Sequence, residues 1–119
     1  MNPTSKNVHL VGTSSFDAEV LQADRPVIVD FTATWCGPCK FLGKIVERIA
    51  DEHVGRLKVV VIDIDDAPEI AARYGVRAVP TLMVFDRGEK VAQRLGVTTK
   101  EKLLEMVGDR ADRPRALSA

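Results

Sequence analysis

Apolar positions along this chain follow two rhythms: short β-branched runs, and longer stretches in which they recur three and four apart. Residues 27–31 (Val-Ile-Val-Asp-Phe) are apolar on both sides except at Asp30, the pattern of a central parallel strand covered on both faces. Residues 57–64 carry the strongest strand signal and must be buried in the same way. A shorter run at 8–11 reads as an edge strand, while 79–85 and 89–95 flank Asp86-Arg87-Gly88 as an antiparallel hairpin. Helical spacing is clearest in 40–53, where Leu42, Ile45, Val46 and Ile49 form one stripe and Lys44, Glu47, Arg48, Asp51 and Glu52 the opposite face.

The other helices are marked by their ends. Ser14 and Asp17 have capping-box spacing ahead of Val20 and Leu21, and Asp24-Arg25-Pro26 stops that short helix. Asp66-Ala67-Pro68-Glu69 opens another with a cap, an early proline and a following acid, and Gly75 closes it. Thr98-Thr99-Lys100-Glu101 caps the last helix, which should bury Leu103, Leu104 and Val107 and end at Gly108. The order βαβαβαββα predicts an α/β domain over residues 1–108, a central mixed five-stranded sheet flanked by four helices, with the parallel part first and the hairpin last. Residues 109–119 are charged, contain Pro114 and lack periodicity, so a loose tail is expected there.

At 119 residues the chain holds one domain and no room for a second. Its 17 basic and 17 acidic residues balance, which argues against a nucleic-acid footprint or a polybasic membrane patch. Partners are therefore expected to be read by shape and apolar contact, and the protein to act as a monomer. The N-terminal stretch from Met1 to Asn7 is followed by no apolar run long enough for a signal peptide or a membrane span, so the expected location is cytoplasmic.

The chain's two cysteines stand in Trp35-Cys36-Gly37-Pro38-Cys39, between the 27–31 strand and the 40–53 helix. Two thiols at this spacing, at a strand-to-helix junction in a reducing compartment, read as a redox dithiol that cycles rather than a structural staple. A helix beginning near Cys36 places that sulfur beside unpaired N–H groups and the positive end of the helix dipole, which favour thiolate. Lowering a thiol by about one and a half pH units takes ~2 kcal/mol, and an exposed dipole supplies only ~0.3–1. Local hydrogen-bond donors, the second thiol included, must supply the rest. Cys36 is thus the candidate nucleophile. Cys39, one turn on and more buried, is the candidate resolving thiol, and Pro38 stiffens the loop where no N–H is needed.

The motif, together with Val79-Pro80-Thr81, Gly88 and Gly96, resembles the thioredoxin family over roughly residues 8 to 108. That resemblance implies the thioredoxin fold and a general protein dithiol-disulfide oxidoreductase. Such a protein reduces protein disulfides through a mixed disulfide, is recycled by thioredoxin reductase and serves electron transport and cell redox homeostasis without a bound cofactor. Gly37 and Pro38 between the cysteines imply a reductant, since more oxidising relatives of the fold carry a histidine there. Asp30 by itself reads equally well as a hydrogen-bonded or partly exposed strand-end carboxylate; the resemblance implies a buried general base for Cys39. It also implies a cis peptide at Pro80, where the residues alone say only that Val79 is extended and that a donor is missing. Pro80 would then keep metal ions off the thiols and present the Val79 backbone to substrate, within a shallow apolar platform of Trp35, Ile64, Val79 and Gly96. Lys40 is placed either to steady the thiolate through space or simply to face solvent.

The sequence departs from the family at three points. Val61 replaces a lysine often found beside the strand carboxylate, which should raise the Asp30 pKa further. Thr32 stands where a tryptophan is common, and Gly43-Lys44 where a helix-kinking proline is common, so any bend there must come from Gly43. A zinc site needs four ligands and covalent haem needs a histidine at position 40; neither pattern is present, and His9 and His53 lack partners at ligand spacing. The alternatives are a more specialised thioredoxin-like oxidoreductase, an oxidase or isomerase of different redox potential, and a non-catalytic subunit or chaperone role. Loss of turnover in Cys36→Ser separates the last from the rest.

Overall fold

A computed structural model describes residues 4–112. Its five strands, β1 (Val8–Leu10), β2 (Val27–Thr32), β3 (Lys58–Asp63), β4 (Thr81–Asp86) and β5 (Glu89–Leu95), form one sheet in the order β1-β3-β2-β4-β5. β1, β3 and β2 run parallel, and β4 and β5 add an antiparallel hairpin, as the element order predicts. The β4–β5 turn needs two positive φ angles, which Arg87 (φ 54) and Gly88 (φ 84) supply.

Every residue of β2 is buried, because helices cover both faces of the sheet. Strand alternation divides these residues between two cores. Ile28, Val59, Val61, Leu82 and Val84 pack under α1 (Gly37–Glu52) and α3 (Lys100–Val107), against Leu42, Val46, Ile49, Leu103 and Val107. Val29, Phe31, Val60, Ile62 and Met83 pack on the other side, against Phe16, Val20 and Ile70. Ile70 belongs to α2 (Pro68–Arg73), which is closed by Gly75 at φ 69.

Several helix ends differ from expectation. The first helical segment is irregular, a 3₁₀ turn at Thr13–Ser15 followed by a π turn at Asp17–Leu21. Its cap is not the Ser14–Asp17 pair: Ser15 Oγ accepts from Gly12 N at 3.1 Å, so the segment starts earlier and winds around the fully buried Phe16. Ala67, not Asp66, occupies the N-cap of α2, and no side chain caps it. Ala67 is fully buried, so packing rather than capping decides where that helix begins. Thr99 does cap α3, its Oγ1 accepting from Lys102 N at 3.1 Å, and Leu104 is only half-buried. Residues 109–112 are not the loose tail expected there, because Gly108–Asp112 forms a 3₁₀ turn with Ala111 buried and Arg110 Nε 3.6 Å from Asp86 Oδ2. The remainder of that expected tail, including Pro114, lies outside the described residues. Among the described residues no helix is long and apolar enough to cross a membrane.

Candidate active site

β2 ends at Thr32, and the chain turns through residues 33–35 into α1, with Cys36 at its N-cap in an extended conformation. An N-cap side chain accepts from the backbone two or three residues on, and here the acceptor is sulfur: Cys39 N donates to Cys36 Sγ at 3.2 Å. Cys39 N is thus one of the local N–H donors expected at that sulfur. Cys36 and Cys39 are joined as a disulfide with their Cα atoms 5.3 Å apart. Gly37 and Pro38 fill the first helical turn, where the missing proline N–H has no partner to lose. The two sulfurs differ in access, since Cys36 retains 5% exposure and Cys39 none.

Val79-Pro80 is a cis peptide, and it brings Val79 O to 3.8 Å from Cys36 Sγ. In the reduced protein that carbonyl is an acceptor within reach of a Cys36 thiol. Ile64 and Val79 pack against Ala33 and the cysteines. Gly96, at φ 92, donates its N–H to Pro80 O at 2.9 Å, a conformation that side-chain-bearing residues rarely adopt. Trp35 is 68% exposed, and its Nε1 donates to Asp65 Oδ2 at 2.9 Å. The sequence reading missed Asp65; its only local sign is the acidic cluster Asp63-Ile64-Asp65-Asp66 following β3.

Asp30 is 1% exposed and points to the α1 side of the sheet, the side of Ile28. Its sheet neighbours are Val61 on β3 and Leu82 on β4, both aliphatic. Oδ1 is buried without a hydrogen-bond partner, so of the sequence alternatives neither the bonded nor the exposed carboxylate applies to that oxygen. Desolvation pushes the carboxyl up to about 7. A cavity of about 220 Å³ opens beside it, walled by Val8, Val46, Val61 and Gly43 and flanked by Lys40 and Lys44. Lys40, exposed, therefore shares a cavity with Asp30. The absence of lysine at 61 and of tryptophan at 32 leaves room there, because Thr32 and Val61 are both cavity walls.

The chain matches the family model described as Thioredoxin over residues 7–109. The chain belongs to the thioredoxin family. It is 45% identical over 97 residues to a thioredoxin of Rickettsia felis, covering 82% of this chain and 92% of that one. A thioredoxin of Porphyra purpurea is 47% identical over 97 residues, 82% of this chain and 91% of its own. A chloroplastic thioredoxin M-type of Brassica napus is 41% identical over 100 residues, 84% of this chain and 56% of that one. The α/β sheet is the thioredoxin fold, and the Cys36–Cys39 pair is its redox-active disulfide, so the protein is a disulfide oxidoreductase.

Proposed function

We propose that the protein reduces disulfides of other proteins, with Cys36 as nucleophile, Cys39 as resolving thiol and Asp30 as the general base for Cys39 during resolution and the acid in the reverse reaction. The Cys36 thiolate attacks one sulfur of a substrate disulfide, forming a mixed disulfide and releasing the first substrate thiolate, which takes a proton from solvent. Asp30 then accepts the Cys39 proton. The Cys39 thiolate attacks Cys36 Sγ, closing the Cys36–Cys39 bond and expelling the second substrate thiolate, so the substrate gains two electrons. A thioredoxin reductase returns two electrons and reopens the disulfide in a reducing compartment, the cytoplasm. Trp35, Ile64, Val79, Pro80 and Gly96 offer the substrate a shallow platform. Lys40 adds positive charge near the start of α1.

The observation that carries this reading is the asymmetry of the pair, one cysteine capping a helix and retaining slight exposure and the other fully buried beneath it. Asp30 suits its role because a carboxyl titrating near 7 can both take and return a proton at neutral pH. The test is insulin-disulfide reduction coupled to a thioredoxin reductase. Cys36→Ser should abolish turnover, whereas Cys39→Ser should trap a mixed disulfide with substrate. Turnover surviving in Cys36→Ser sinks the assignment.

A further inference from the structure

The first described residues lie along α1 and are tied to it at two points. Glu47 Oε1 accepts from Thr4 N at 2.8 Å, Thr4 Oγ1 at 2.7 Å and Ser5 N at 2.8 Å. One turn further on, Asp51 Oδ1 accepts from Ser5 Oγ at 2.5 Å and Asn7 Nδ2 at 2.9 Å, and these two donors hold its carboxyl below the usual range. The segment then runs into β1 at Val8.

Both Thr4 and Glu47 are walls of the Asp30 cavity. Every other residue lining it belongs to α1, β1, β2 or β3, so Thr4 is its one wall outside helix and sheet. A helix or strand moves only with its whole ladder of hydrogen bonds, while Thr4 itself is held to α1 by one carboxylate oxygen of Glu47, with Asp51 anchoring Ser5 and Asn7 beyond the cavity wall. We propose that residues 4–7 form a strap that closes the Asp30 cavity, and that Glu47 is the positioning residue that holds it shut. By keeping water from the carboxyl, the strap sets the acidity at which Asp30 trades its proton with Cys39. This last step rests on the role given to Asp30 above.

The charged groups sharing the cavity are Lys40, Lys44 and Glu47, all on α1; β1 and β3 face Asp30 with Val8 and Val61, and β4 places Leu82 beside it. The other walls, Val8, Thr32, Gly43, Val46 and Val61, carry no charge, so opening the strap changes chiefly the access of water. Since desolvation is what raises Asp30, hydration lowers it.

The experiment follows the Asp30 carboxyl by ¹³C NMR titration in the full chain, in Glu47→Ala, in Glu47→Gln and in a chain lacking residues 1–5, with the pH dependence of mixed-disulfide resolution measured on each. Glu47→Ala and the shortened chain should both lower the Asp30 midpoint, by about one pH unit. Glu47→Gln, which keeps an acceptor oxygen, should stay nearer the parent. An unmoved midpoint in the shortened chain overturns the strap. A midpoint that moves there but not in Glu47→Ala overturns the part assigned to Glu47. If the midpoint falls while the resolution profile stays in place, the strap stands and the proton-carrying role of Asp30 fails.

Discussion

On the side of the sheet facing α2, Phe16, Tyr74 and Phe85 meet with ring centroids 5.2 to 5.9 Å apart, two of the three pairs edge to face. On the side facing α1 the same strands carry a buried carboxyl and a cavity of about 220 Å³. Phe31 and Asp30 are adjacent in the chain and end on opposite sides, because successive strand residues alternate. The comparison shows where stability and chemistry reside in this fold. Close-packed aromatic surface on one side lets the other side keep an unbonded carboxyl whose burial costs stability once it must ionise.

Phe85→Ala should have the largest effect, a loss of about 3–5 kcal/mol in denaturant unfolding. Its Asp30 titration should match the parent protein's; a displaced one would show that the two sides are not independent.

Asp30→Leu should act in the opposite direction and only at higher pH. The folded carboxyl titrates near 7 and its ordinary value is 3.8, so below about pH 3 it is largely neutral in folded and unfolded chains alike. As pH rises toward 7 the unfolded chain ionises first, so the parent loses stability through that window and levels off above it. The variant should therefore gain up to roughly 4 kcal/mol relative to the parent between pH 3 and pH 8. An equal difference between the two proteins at both pH values would contradict the burial argument. The same substitution should slow resolution of the mixed disulfide by Cys39.

Val61→Lys brings a cation to the strand position paired with Asp30 and narrows the contrast between the sides. It should lower the Asp30 midpoint by about 1–3 pH units, and an NMR titration that leaves Asp30 in place would refute it. Trp35→Phe should matter least to either side. It removes the Nε1 bond to Asp65, an exposed contact, so stability should change by less than about 1 kcal/mol while kcat/KM for a protein disulfide falls a few-fold. A large loss of stability would mean that the tryptophan supports the fold rather than the substrate platform.

The stripe of Leu42, Val46 and Ile49, the buried strand around Val29 and the hairpin about Gly88 were legible because each is a repeat or a turn written in neighbouring residues. The helix begins at Gly37 with Cys36 as its cap, and the strand-to-helix junction had already marked that place. The Ser14–Asp17 box and the Asp66 cap looked equally local and are not formed, because burial of Phe16 and Ala67 decided where those turns begin. Asp65 escaped notice because its partner Trp35 is thirty positions away in the chain. Leu104 was assigned to the core from its spacing, yet it sits at the margin of the α1 side.

Spacing alone determined that one sulfur would start a helix with the other a turn below it, since a helix repeats on the scale of the motif itself. Whether Asp30 would be wet or dry was decided only by the tertiary structure. Its solvation depends on Val8, Val61, Gly43 and the strap at Thr4, brought together from four separate parts of the chain, and no local pattern carries that sum.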